Sequence, residues 1–286
     1  MKLSYSEYNV YKKCPKRYYN EVNGVEPPEP QSSYFAAYGL LIESFFKFYV
    51  NTLLKKNIIL DDDQTESVLR KLWDKVLKEN YIKWDDPWCR ESSSHIFMSV
   101  LEDIKTNINT FDFWQHAQSE VSFNIFLKKS QDTLTCRLDF IVNNPDGTVE
   151  ILDGKGTYKM DKTIDIEQLY FYILVYYMHY KKLPDKAGFL YYKFHLVKYI
   201  DFDINIINDF SKKLALVKRA IREDKKFEAQ VGISKQCKWC AYRMTCEELM
   251  VKRREWSEKR KKATPFEFTG DMINFVSEGI NDEGSN

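Results

Sequence analysis

Hydrophobic positions recur along this chain with two different periods, and the change falls near residue 117. Before it the spacing is helical. Ser4-Tyr5-Ser6-Glu7 reads as a capping box, in which a serine oxygen and a glutamate each satisfy a backbone N–H of the first turn. A helix is therefore expected over residues 5–13. Residues 33–56 carry apolar side chains at helical spacing around Gly39. Asp61–Asp63 followed by Glu66 opens a helix running to about residue 81, residues 84–88 form a loop around Pro87, and a third helix spans 93–114.

After residue 117 the pattern turns to β-formers. Strands are expected over 121–127 and 133–142, joined by a polar turn, and over 149–152 after the turn Asn143-Asn144-Pro145-Asp146-Gly147. Helical period returns over 166–181, two strands follow at 187–194 and 197–202, and a long helix covers 203–226. There is no internal repeat and no clear linker. The expectation is one composite domain over 1–265, made of a helical region over 1–117, a core over 118–203 and a helix with a metal-cluster segment over 204–265. Residues 266–286 form an acidic tail.

Composition narrows the class. The 286 residues exceed the roughly 100–200 typical of one domain only modestly, and 44% apolar with 30% charged residues excludes a disordered chain. The longest strongly apolar run, 170–178, is far short of the ~20 residues that span a bilayer, and charges interrupt the first residues. An intracellular, cytoplasmic protein without a membrane partner is expected. The 43 basic and 42 acidic side chains exclude a polycation that coats nucleic acid but permit a local basic channel. One such place is 252–262, where Lys252, Arg253, Arg254, Lys259, Arg260, Lys261 and Lys262 crowd together, either as a solvated helix face or as a rim that guides a DNA strand.

Three of the six cysteines cluster as C-x2-C-x5-C at Cys237, Cys240 and Cys246. Such spacing lets thiolates converge on one metal centre. Cys14, just past the first helix and followed by Pro15, is the best candidate for a fourth thiolate; Cys89 and Cys136 are weaker ones. Zinc and an iron–sulfur cluster both remain open on spacing alone.

The central strands carry hard oxygen ligands. Asp139 lies in "CRLDF" and Asp153-Gly154-Lys155 ends the third strand. A hairpin brings these carboxylates side by side, where neither ionises easily alone and a divalent cation removes the penalty. Lys155 projects from the same face as Asp153 and is placed to orient or deprotonate an attacking water. Gln168 and Tyr172, four apart on the following helix, share a face from which they can hold DNA or the lysine.

Taken together, "YKKCPKRYY", "GLLIE", "CRLDF", "EILDGKG" and "QLYFY" resemble the RecB-like branch of the PD-(D/E)xK nuclease superfamily. The three later cysteines resemble its iron–sulfur members, the AddB-type nuclease domains and the CRISPR-adaptation exonucleases. The resemblance runs from about Ser4 to Cys246. It implies an α/β, restriction-endonuclease-like core with a mixed central sheet, an N-terminal helical region and a C-terminal iron–sulfur segment. It implies that Asp139, Asp153 and the Gly154 carbonyl bind Mg2+ or Mn2+, that Lys155 is the catalytic lysine, and that Gln168 and Tyr172 complete the site. It also implies that Cys14, Cys237, Cys240 and Cys246 hold a four-iron, four-sulfur cluster, with zinc the lesser alternative. Glu120 matches an acidic residue that opens the first strand. Two positions depart from the pattern: Glu43 stands where a histidine is common four residues after the glycine, and Cys136 where a small residue is usual. Glu43 is able to bind the same cation, and Cys136 reads as a buried thiol. The four histidines read as structural or surface residues. The implied activity is metal-dependent exonucleolytic hydrolysis of DNA, single-stranded or with free ends, in recombination, repair or CRISPR adaptation with protein partners of those systems. The rival reading is a DNA-binding assembly subunit with weak nuclease activity.

Overall fold

The capping box closes as its residues require. Ser4 Oγ accepts from the Glu7 amide at 3.3 Å, and Glu7 Oε2 accepts from the Ser4 amide at 2.6 Å. The computed structural model describes residues 1–28, 36–80, 82, 84, 92–157, 165–231, 237, 238 and 240–262. Residues 33–35, most of the loop expected at 84–88, Cys89 and the acidic tail lie outside these. A short strand, β1 (Lys2–Leu3), precedes α1 (Tyr5–Lys13), whose start and end match the expectation. Cys14 then caps α2 (Pro15–Val22), which the apolar pattern did not announce. Pro15 stands at the first turn, where its missing N–H has no helical partner to lose.

The helical region continues with α3 (Ala37–Phe48), which loosens into a π turn at Tyr49–Leu53 and a 3-10 turn at Leu54–Lys56. Next come α4 (Asp62–Glu79), capped by Asp61, and α5 (Ser93–Thr110), capped by Ser92. The last helix is shorter than expected. Trp114 sits in a separate 3-10 turn, Asp112–His116, because the chain becomes extended at Phe111.

Among the described residues the sheet has six strands. β2 (Ala117–Leu127) pairs antiparallel with β3 (Asp132–Asn143), and β3 pairs antiparallel with β4 (Val149–Lys155) through the turn at Gly147, whose φ of +84° suits glycine. The chain crosses through α6 (Glu167–Tyr180) to β5 (Lys186–Tyr191), parallel to β4, and β6 (Leu196–Tyr199) closes antiparallel to β5. β1 adds in parallel to β3 at Thr133 and Leu134. The strand order is β1-β3-β4-β5-β6, with β2 on β3. The stretch from residue 192, expected to continue β5, turns instead into a 3-10 segment, Tyr192–Phe194.

Each face of the sheet has its own core. One core joins Leu134, Cys136, Leu138, Ile151, Ala187 and Phe189 to α1, α6 and α7 (Ile204–Glu223). The other joins Phe140, Val142, Leu152, Leu190 and Tyr192 to α3, α4, α5 and Trp114. In a regular strand Leu138 and Phe140 share a face, because side chains alternate with period two. Here they enter opposite cores, so β3 exchanges its faces at Asp139. Across from that residue Glu120 has a left-handed φ of +58°, and the β2–β3 ladder skips the pair. Leu41, Ile42, Phe45 and Phe46 of α3 anchor the second core, each worth about 1.5–3 kcal/mol.

The chain divides into two compact units, Met1–Gln230 and Val231–Asn286. The first carries the sheet and both cores. The second carries Cys237, Cys240, Cys246 and α8 (Glu247–Lys262). No helix among the described residues is long and apolar enough to cross a membrane.

Much of the positive charge of α7 serves the fold. Asp132, fully buried, is paired with Lys218 at 2.7 Å, with Arg222 and with the amino group of Met1 at 3.0 Å. Burial pushes its carboxyl up, but bonds from Lys218, Ser130 and the amino terminus outweigh that and hold it far below the usual carboxylate range.

Candidate active site

The register of β3 and β4 places Phe140 opposite Leu152, so Asp139 and Asp153 are the next pair along, where the ladder ends. The Gly154 amide donates to Asp139 Oδ2 at 3.0 Å. This binds the aspartate of one strand to the backbone of the other. Asp153 is 1% exposed. Lys155 Nζ stands 2.5 Å from Asp153 Oδ2 as an ion pair, at angles outside hydrogen-bond geometry.

The helix after β4 extends these contacts. Lys155 Nζ donates to Gln168 Oε1 at 3.1 Å, and Gln168 Nε2 donates to the Tyr172 hydroxyl at 2.9 Å. This run of bonds explains the four-residue spacing, since one helical turn brings both α6 side chains over the end of β4. Phe189 supports the lysine from below, its ring centroid 5.3 Å from Nζ.

Glu43 reaches the site from α3. That helix docks on the chain just past β4 by backbone contact: a Cβ on Gly156 would stand 2.3 Å from the Gly39 Cα. Glu43 lies one turn after Gly39 and is half-buried. Burial pushes its carboxyl up and the charges of Asp153 and Glu120 add to this, while Lys47 and Lys155 oppose it. Lys47 Nζ lies 3.8 Å from Glu43 Oε2 and 2.9 Å from Glu120 Oε1. Glu120 also holds Arg137 at 2.9 Å. It lies within β2 rather than at its opening, and it is the anchor of this chain of charges. Lys47 was not singled out from the sequence, although the E-x-x-x-K spacing from Glu43 was visible there.

Burial, followed by the charges of Asp153 and Glu43, pushes the Asp139 carboxyl up to about 7. Asp153 is shifted the same way, by burial, against the pull of Lys155 and Tyr172. The three acids therefore resist ionising together. Among the described residues no three His, Cys, Asp or Glu side chains stand as a ready-made metal site. Their chemistry nevertheless fits a hard divalent cation, which would relieve the mutual repulsion that Lys155 and Lys47 only partly balance.

The family model of the PD-(D/E)XK nuclease superfamily matches residues 2–247. The chain belongs to the PD-(D/E)XK nuclease superfamily. This nuclease is thus a hydrolase, and nucleases of its superfamily use divalent metals such as Mg2+ or Mn2+. The crystal structure of an exonuclease candidate from Eubacterium rectale aligns with 82% of this chain and 86% of its own, at 13% identity and a TM-score of 0.50, which bears on the fold alone. The protein SSO0001 aligns with 84% of this chain and 96% of its own at 13% identity, but its TM-score of 0.32 is too low to support the fold. No curated protein sequence matches the chain.

The cysteines of this nuclease fall in both units. Cys14 joins α1 to α2 in the first; Cys237, Cys240 and Cys246 lie in turns before α8 in the second, all half-buried. None of these four, nor Cys136, is in a disulfide. Cys136 is 8% exposed within β3, and burial pushes its thiol far up, as suits a structural residue. His195 bonds the buried Asp103 at 2.9 Å, and His179 packs against Phe123.

Proposed function

We propose that this nuclease hydrolyses DNA phosphodiesters from free, single-stranded ends, with Mg2+ or Mn2+ held by Glu43, Asp139 and Asp153. The observation that carries this reading is the linked run of Asp153, Lys155, Gln168 and Tyr172 beside Asp139. A divalent cation at the three carboxylates would lower the pKa of a bound water and offset charge on the phosphate. The Gly154 carbonyl is a further candidate ligand. Lys155 orients the attacking water. Its second anchor, Gln168, keeps the ammonium over the end of β4 when Asp153 turns to another partner. Tyr172, whose oxygen accepts from Gln168, keeps its hydroxyl proton to donate to Asp153 when the acid turns toward it.

Cys14, Cys237, Cys240 and Cys246 are proposed to hold a four-iron, four-sulfur cluster, on the strength of the C-x2-C-x5-C spacing, with zinc as the alternative occupant. The basic residues of α8 are proposed to guide the strand. Preference for ends, an intracellular setting and a role in recombination or CRISPR adaptation follow from the family resemblance; the name of the Eubacterium rectale relative bears only on exonuclease action.

The test uses full-length protein purified anaerobically and end-labelled single- and double-stranded DNA. Cleavage is expected with Mn2+ and none with EDTA. Lys155→Ala should abolish cleavage and retain DNA affinity, which comes mostly from backbone contacts elsewhere. Wild-type rates in EDTA would refute the metal reading, and wild-type rates in Lys155→Ala would refute the role of the lysine.

A further inference from the structure

Tyr192 belongs to the second core, yet its hydroxyl lies against Gly154, between Asp153 and Lys155. The residue is 0% exposed, and its hydroxyl finds no hydrogen-bond partner among the described residues. An orphaned buried hydroxyl costs roughly 1–3 kcal/mol, so its presence needs a reason. Packing does not supply one. The ring stacks on Phe46 with centroids 5.2 Å apart and planes 4° from parallel, and Phe46 stacks in turn on Trp114 at 4.3 Å. A phenylalanine would make the same stack. The backbone is fixed as well, because Asn107 Nδ2 donates to the Tyr192 carbonyl at 2.8 Å.

What the oxygen touches is the active-site strand. A Cβ built on Gly154 would stand 2.4 Å from the Tyr192 hydroxyl oxygen and 2.9 Å from Cζ. Glycine between Asp153 and Lys155 is therefore the residue that leaves room for this hydroxyl. Burial and the charges of Glu43, Asp139 and Asp153 hold its proton well above the ordinary tyrosine range. The group can thus serve those carboxylates only as a donor. At present each has another partner: Glu43 leans to Lys47 at 3.8 Å, Asp139 Oδ2 takes the Gly154 amide, and Asp153 pairs with Lys155.

We propose that Tyr192 is a positioning residue of the metal site, whose hydroxyl donates to a cation-binding carboxylate from beneath the strand that bears Asp153. The inference rests on the metal reading proposed above. Donors behind a ligand fix its orientation, and their loss typically weakens metal binding by about 10–100-fold.

Tyr192→Phe in the full-length protein separates this role from a structural one. Mn2+ is titrated without DNA by calorimetry, and melting is followed in EDTA. The expected result is Mn2+ affinity weaker by about tenfold or more, with a melting temperature in EDTA that is unchanged or raised, since the lost hydroxyl had no partner in the metal-free fold. Equal Mn2+ affinity for variant and wild type would overturn the proposal. A clear fall of the melting temperature in EDTA would overturn it too, by showing that the hydroxyl is already bonded within the fold. If the wild type itself binds no Mn2+, the metal reading fails first, and that outcome is distinct from the other two.

Discussion

Replacing Asp139 by asparagine should stabilise the metal-free protein at alkaline pH while abolishing cleavage. The amide side chain would keep an oxygen to accept the Gly154 N–H, which reaches Asp139 Oδ2 at 3.0 Å, so only the charge is removed. The carboxyl is pushed from its ordinary 3.8 up to about 7, first by burial and then by Asp153 and Glu43. A raised carboxyl favours the folded state below its unfolded value and loses that contribution as pH rises through the folded one. The window here is about pH 4 to 7. At about 1.4 kcal/mol for each tenfold change in proton affinity, and allowing for partial solvent screening, the loss is roughly 2–4 kcal/mol. The variant has no such loss. Thermal melts in EDTA should show Asp139→Asn several degrees above wild type at about pH 8, at about 2–4 °C per kcal/mol for a chain of this size, with the gap shrinking as pH falls and closing below about pH 3.8. Added Mn2+ should raise the wild-type transition and leave the variant unmoved. Equal melting of the two proteins on the alkaline side would refute the claim that Asp139 carries an unrelieved charge.

Glu43→Gln should weaken Mn2+ binding in the same titration, and Glu43→His should retain part of it, because imidazole is a usable manganese ligand; an unchanged titration for Glu43→Gln would place this residue outside the site. Asp132→Asn should cost about 3–5 kcal/mol in urea unfolding at neutral pH, because Lys218 and Arg222 lose their buried partner. The pair's contribution is present above the ordinary carboxylate pKa and fades as pH falls, so the gap to wild type should narrow on acidification; a constant gap would count against it. Cys14→Ser should lose iron and sulfide as fully as Cys240→Ser, measured on anaerobic protein, and one equivalent of zinc without sulfide would defeat the cluster assignment.

Local rules made much of this molecule legible in advance. The capping box fixed the start of α1, and the β-formers of 133–142 and 149–152 marked the paired strands that carry Asp139 and Asp153. Four-residue spacing was enough to put Gln168 and Tyr172 on one face, and they meet Lys155 there. Other features depend on contacts far apart in the chain. Apolar period alone ran the third long helix through to Trp114, because the tryptophan is as buried as a helical core residue, yet it packs on Phe46 from a separate turn. The later half of α7 is rich in lysine and arginine, and a single buried carboxylate at residue 132 draws two of those cations into the fold. Nothing local marks the left-handed Glu120 opposite Asp139, where β3 exchanges its faces.

The two glycines around Lys155 show how such contacts leave a trace. Glycine within a strand loses packing and backbone entropy, so it persists where something else needs the space. At Gly156 the occupant is the backbone of α3, which sets Glu43 over the site; at Gly154 it is the Tyr192 hydroxyl, which lies beneath it. Asp153 and Lys155 supply the polar groups, and the glycines beside them admit the two elements that approach from the other face of the sheet. A side chain at either glycine would leave every acid of the site in the sequence and still displace a helix or a hydroxyl from it. The spacing of charged residues identifies the chemistry of this site, whereas the positions without side chains determine how closely its parts come together.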